Sequence, residues 1–374
     1  MIQINADTLY ERLSYVASGA MQRAGDMYQK VCLERGDSGT FFRSFNQVAH
    51  TMAVIDDEGG EPYRLLFDPD PLLGAVKRVE GELTIQPSPN CIKVSGPVEV
   101  EHPCFTGEDF IDFPIPESDP VQVEGGGDLS AAIQQAESTV DPGAPNQRFA
   151  GVYLGDRHTP GTVCCVGANT TSLVEVEMGD SSEAEQFEGE TILPAQSLDQ
   201  IRTLLESDED VNLYLESRKV FFVIAKGAVV TRLVAEKYPN YPSIMPDEDG
   251  CQQITMGTDK LETALRVCQE YTEDFSAVLL DFSSDKLVVS AADAEGGTAS
   301  FDVPVDTPDM GRMRLKGSAD RFLEVVSSME GNEMDMLVPI EEEPTRVGIT
   351  GEQEGVTGAV ALMMLQPEEE LQSK

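Results

Sequence analysis

Tryptophan is absent from the 374-residue chain, and histidine occurs only at His50, His102 and His158. None of the three stands in a nucleophile or metal motif, so hydrolysis of the histidine-assisted kind has no visible machinery. Basic side chains are scarce: 26 against 67 acidic ones, for a formal net charge of −41. Repulsion from polyphosphate and from anionic lipid follows, which excludes a broad basic patch wrapped on nucleic acid. A local basic lining inside an acidic shell stays possible, as does a protein that surrounds DNA without gripping it. No stretch of about 20 apolar residues exists, so no spanning helix is expected. The opening Met1-Ile2-Gln3-Ile4-Asn5 lacks the basic and apolar blocks of a signal peptide, and a cytoplasmic location is the expectation.

The seven cysteines contain no C-x-x-C pair and no cluster with histidine at zinc spacing. They read as reduced thiols, several in apolar runs such as Thr162-Val163-Cys164-Cys165-Val166. No Lys-Ser/Thr phosphate-loop signature follows the glycines at 125–127, which read as a linker. Acidic runs such as Glu341–Glu343 and Glu368–Glu370 read as solvated faces or tails. Neither metal, cofactor nor catalysis is expected.

What the chain does contain is one order of elements used three times. Leu9, Leu13, Val16, Ala17 and Ala20 recur at helical spacing and predict a helix over Ala6–Met21 after a short strand, Ile2–Asn5. Strands follow, then a second helix at Pro71–Val79, then alternating strands at Leu83–Gln86, Cys91–Val94 and Val98–Glu101. The same order resumes after Gly125–Gly127, with Asp128 as helix cap and a second helix at Ser197–Leu205. It resumes again after Gly250, with helices at Thr258–Glu270 and Ala319–Met329. The first two segments close on similar aromatic/proline connectors, Glu108–Pro116 and Glu236–Pro246. These features predict an α+β chain with an internal threefold repeat: residues 1–124, 125–248 and 249–366, then an acidic tail at 367–374. Repeats with open sheet edges join edge to edge into an arc, which head-to-tail association closes into a ring with the helices on its inner wall.

The connector Arg232-Leu233-Val234-Ala235-Glu236-Lys237-Tyr238-Pro239-Asn240-Tyr241-Pro242-Ser243-Ile244-Met245-Pro246 resembles the "RLIEGKFPDYRRVLP" segment of the bacterial DNA polymerase III β subunit family, the sliding clamps. Ile192-Leu193-Pro194 before a helix, the C-terminal Ala359–Leu365 and the opening Ile4–Arg23 are similar to that family's other recurrent features, in order, from residue 1 to about 366. The resemblance implies a non-catalytic DNA-clamp fold with continuous sheets outside. It implies a head-to-tail homodimer around double-stranded DNA, placed there by a clamp loader, that tethers a DNA polymerase and other proteins carrying a clamp-binding motif. Tethering raises the local concentration of the polymerase. No membrane partner is implied.

Carried onto this sequence, the family's partner-peptide groove has Phe149, Leu173, Pro246, Val360, Leu362 and Met364 in its wall. The adjoining Gly167–Leu173 departs from the family's "ATDGHRLA", with Thr171-Ser172 where a His-Arg pair is common. Toward DNA, the resemblance assigns Arg23 and Lys77, and predicted helices add Arg78, Arg202, Arg266 and Arg321. Asp68-Pro69-Asp70-Pro71 and Ala195-Gln196 stand where the family often has basic residues, so a thinly basic bore is expected. The competing reading is an acidic interaction protein or DNA mimic that occupies nucleic-acid-binding proteins; ring closure separates the two.

Overall fold

The computed structural model describes residues 1–20, 29–57, 59–155, 162–180, 191–206, 209–245, 250–272, 277–283, 285–306, 313–329, 331–340, 344, 346–353 and 356–364, with backbone alone for 179–180 and 352–364. Six α-helices are present among them: α1 (Ala6–Ser18), α2 (Pro69–Val76), α3 (Gly126–Glu137), α4 (Ala195–Leu205), α5 (Thr258–Gln269) and α6 (Ala319–Val326). Each buries one apolar stripe. In α1 it is Ala6, Leu9, Leu13 and Val16; in α5 it is Leu261, Ala264, Leu265 and Cys268. Burying each such leucine contributes about 1.5–3 kcal/mol.

Local chemistry sets the helix starts. Asn5 caps α1 by accepting from the Asp7 N–H at 2.9 Å, and Ser318 caps α6 by accepting from Arg321. The Asp68 side chain caps α2, which therefore begins with Pro69 at its first position, two residues earlier than expected. The second repeat corrects the sequence reading more deeply. Gly125–Gly127 is not a linker, and Asp128 is not a cap. Gly125 turns the chain at φ +71, and Gly126 and Gly127 already belong to α3, whose first turn holds Asp128.

The strands pair antiparallel throughout the described registers, and their order repeats. In the first repeat, Ile2–Asn5, Glu82–Pro87, Cys91–Ser95 and Val100–Pro103 form one run; Tyr63–Phe67, Val31–Gly36, Gly39–Phe45 and Ala49–Ile55 form the other. The second repeat has Val121–Val123, Val211–Leu215, Lys219–Ile224 and Gly227–Arg232, then Thr191–Pro194, Gly151–Gly155, Thr162–Ala168 and Ser172–Asp180. The third has Cys251–Gly257, Glu333–Pro339, Arg346–Gln353 and Val356–Met364, then Met313–Ser318, Ala277–Phe282, Lys286–Ala292 and Thr298–Asp306. Tyr63–Phe67, Val121–Val123, Thr191–Pro194 and Cys251–Gly257 were not legible as strands in the sequence.

The last strand of one run meets the last strand of the other run at two joins. Gly227–Arg232 pairs with Ala49–Ile55, placing Val229 opposite Thr51. Ser172–Asp180 pairs with Val356–Met364, placing Leu173 opposite Leu362 and Glu175 opposite Val360. The chain thereby forms two compact units. One comprises Met1–Ser130 and Gln196–Leu233, the other Ala131–Ala195 and Val234–Lys374.

Candidate partner-peptide groove and DNA-facing helices

The second connector folds onto its own sheet. The Val234 N–H donates to the Ile192 carbonyl at 3.0 Å, and the segment Tyr241–Ile244 makes one 3-10 turn. Tyr238, Tyr241 and Met245 are buried in one cluster with Tyr153, Cys164, Val166, Ala168, Leu173 and Ile192, with Phe149 and Val234 packed at its margin. Tyr153 and Tyr238 stack at 5.0 Å between centroids, and Tyr241 meets each of them edge-on or steeply tilted. The cluster is apolar except where hydroxyls need partners. Tyr238 donates to the Val166 carbonyl at 3.2 Å, and Tyr241 donates to Glu175 Oε1 at 2.7 Å. Ile244, at the end of the 3-10 turn, stays 41% exposed beside this cluster.

Of the six residues assigned to the groove, Phe149 and Leu173 therefore share one cluster. Val360, Leu362 and Met364 alternate along the strand Val356–Met364, directly beside Ser172–Asp180, with Leu362 opposite Leu173. Pro246 lies outside the described residues. The sequence reading passed over Tyr153, Tyr238, Tyr241 and Ile244. Two tyrosines three apart, each followed by a proline, in a chain poor in aromatics, were the available signal.

Asn169 shapes the turn where the family's His-Arg pair is replaced. Its Oδ1 accepts from the Thr171 N–H, the Thr171 hydroxyl and the Ser172 N–H at 2.8–3.0 Å. Burial and the neighbouring Glu175 push the Cys164 thiol up, and burial alone pushes Cys165 up to about 12. Burial, Cys164 and Glu175 likewise raise Tyr241. These groups remain protonated packing elements at neutral pH.

The residues assigned to DNA fall in two groups. Lys77 closes the C-terminus of α2 and Arg78 follows it; both are exposed, and neither has an ion-pair partner among the described residues. Arg202 pairs with Asp199 at 2.6 Å within α4, Arg266 with Glu262 at 2.5 Å within α5, and Arg321 with Glu324 at 2.7 Å within α6. Arg23 lies outside the described residues. No cluster of three or more histidine, cysteine or acidic side chains arranged to hold a metal occurs among the described residues. No described helix is long and apolar enough to cross a membrane.

Three repeats of paired helices under edge-joined antiparallel sheets define the DNA-clamp architecture. The chain has the fold of the bacterial β sliding clamp, the β subunit of DNA polymerase III. A Pseudomonas aeruginosa sliding clamp solved bound to griselimycin superposes with a TM-score of 0.85 at 15% identity, covering 98% of this chain and 99% of that one. The β subunit from Thermotoga maritima gives 0.84 at 13% identity with the same coverage. A Caulobacter crescentus clamp, described with polyethylene glycol at a "putative beta-motif tethering region", gives 0.83 at 17%. By sequence, the chain is similar to β sliding clamps of Treponema pallidum (24% identical over 165 residues, 44% of this chain and 41% of the relative) and Chlamydia muridarum (20% over 147 residues, 39% and 40%). The aligned segments thus span less than half the length of these relatives. No protein-family model matches the chain.

Proposed function

We propose that the chain is a sliding clamp: a non-catalytic, cytoplasmic processivity factor whose two copies close head to tail around duplex DNA and tether a replicative polymerase. The repeats 1–124, 125–248 and 249–366 are its three clamp domains, with the acidic residues 367–374 as a tail. One observation carries the reading. At both internal joins, the last strand of one run pairs with the last strand of the other run. The same rule leaves two strands over. Among the described residues, Val100–Pro103 is paired on one side only, and Thr298–Asp306 has its second edge unpaired except at Val305 and Asp306, which meet Met256 and Thr255. Unpaired edges seek strands. The third join needed to complete the pattern is therefore Val100–Pro103 of one copy against Thr298–Asp306 of the next, a heterologous contact that closes.

Phe149, Leu173, Val360, Leu362 and Met364, with Pro246, form the groove for partner peptides, including those of the polymerase and a clamp loader. An apolar cluster beside the half-exposed Ile244 suits short hydrophobic motifs. The helix faces with Arg202, Arg266 and Arg321, and Lys77 and Arg78 just past α2, are turned to the DNA in this reading, with Arg23 as a further contact.

Light scattering tests the ring: two subunits per particle, stable on dilution, are expected. Retention on nicked circular DNA through gel filtration, lost when the circle is linearised, tests encirclement. A persistent monomer that elutes apart from the circle refutes the clamp and favours an acidic interaction protein. Leu362→Ala with Met364→Ala should weaken binding of a clamp-motif peptide and leave the dimer intact; unchanged peptide affinity removes those residues from the groove.

A further inference from the structure

The six helices hold five basic residues, Arg12, Arg202, Lys260, Arg266 and Arg321, against ten acidic ones. The four arginines are not free. Arg202 is held by Asp199 one turn before it, and Arg321 reaches both Glu324 oxygens at 2.7 and 2.9 Å. Arg266, though 59% exposed, gives two donors to Glu262 Oε1, which also accepts from Ser327 past the end of α6. Arg266 and Ser327 hold the Glu262 carboxyl below the usual range, so this carboxylate stays charged across the neutral pH range. Arg12 is half-buried and directs Nη1 to the Lys226 carbonyl at 2.7 Å. Lys77, Arg78 and Lys260 are exposed and have no ion-pair partner among the described residues.

We infer, resting on the clamp reading, that Arg202, Arg266 and Arg321 reach DNA as neutral arginine–carboxylate pairs, and that Lys260 on α5, with Lys77 and Arg78 just past α2, supplies the phosphate contacts among these described cations. Each phosphate neutralised by a free cation releases condensed counterions and steepens the fall of affinity with salt. An arginine already matched by its own carboxylate contributes no net charge to that exchange. If it swings to a phosphate, it strands an acid beside the duplex. Such helices let DNA pass with little grip, and the hold is topological.

The test is the salt dependence of binding to a 30-base-pair duplex, read by fluorescence anisotropy on the full chain. Lys77→Gln with Arg78→Gln should reduce the log–log slope by about 1.8, at roughly 0.9 per phosphate on B-DNA. Arg266→Gln with Glu262→Gln, which removes a whole pair, should leave the slope unchanged. Glu262→Gln alone frees Arg266, and should tighten binding and steepen the slope by about 0.9. The inference is overturned if the double pair variant loses slope as the Lys77/Arg78 variant does, or if Glu262→Gln binds no tighter than the parent. Retention on the nicked circle reports the clamp reading separately, because a ring stays linked whatever its slope.

Discussion

Replacing Tyr241 by phenylalanine removes one oxygen from the centre of the connector cluster and leaves its ring packing in place. Tyr241 and Glu175 are each about 1% exposed, and their 2.7 Å hydrogen bond links the connector to the strand Ser172–Asp180. The edge-on contacts with Tyr153 and Tyr238 survive in the variant, so the change isolates the hydroxyl. A buried acceptor left short of a donor costs about 1–3 kcal/mol, and Cys164, 3.4 Å from the same hydroxyl, is too weak a donor to replace it. Urea unfolding followed by far-ultraviolet circular dichroism should show that loss. Reaction of the buried Cys164 and Cys165 with a thiol reagent reports opening of the same unit. Glu175→Gln removes the acid, and a cycle of the two substitutions should show coupling of at least about 0.5 kcal/mol, the range for groups in contact. A Tyr241→Phe variant within about 0.5 kcal/mol of the parent, with additive effects in the cycle, would refute the reasoning that this bond holds the connector to the strand Ser172–Asp180.

Three further outcomes follow from particular contacts. His50 packs on Phe45 and Phe113, and burial, helped by Arg43, Arg232 and Lys219, lowers its pKa to about 4. With the folded value below the unfolded 6.5, its contribution to stability is complete above pH 6.5 and is lost as pH falls toward 4; proton NMR should find its imidazole neutral at pH 5.5, where an ordinary histidine is charged. At Gly167 an added Cβ would sit 1.7 Å from the Ala136 carbonyl oxygen, so Gly167→Ala should force α3 off its strand, costing more than about 3 kcal/mol or abolishing soluble expression. Among the thiols, half-exposed Cys91 should react with maleimide in the native protein well before buried Cys32, whose pKa is pushed up to about 12, mainly by burial.

The helices were legible because each carries an apolar stripe of period 3.6 under tertiary burial, as Leu9, Leu13 and Val16 do in α1. What escaped the sequence reading has definite causes. Val121–Val123 has three residues, too few for alternation to register, and Cys251–Gly257 opens with Cys251, Gln252 and Gln253, none of them buried, so its first half shows no apolar alternation. Gly125–Gly127 reads as a linker by composition, yet one positive φ at Gly125 and helical continuation after it serve tight entry into α3. The state of the arginines was the least visible feature. Arg202, Arg266 and Arg321 each have an acid three or four residues away in sequence, but spacing alone does not tell an arginine aimed at its own helix from one aimed at a ligand.

Electrostatics also bears on the proposed third join. The edge strand Val100–Pro103 carries Glu101, and the edge strand Thr298–Asp306 carries Asp302 and Asp306, with Lys286 committed to Asp302 at 2.7 Å. Bringing these edges together sets acid near acid, on two copies that each carry −41. Screening should therefore favour the ring. The Debye length falls from about 10 Å at 0.1 M salt to about 3 Å at 1 M, so repulsion between copies fades while the backbone hydrogen bonds and apolar contacts of the join persist. Sedimentation across a dilution series should find the dimer dissociation constant falling as salt rises over that range. A ring held by cross-copy ion pairs would do the opposite, and a dissociation constant that climbs with salt would reject the acidic edges as its closing surfaces.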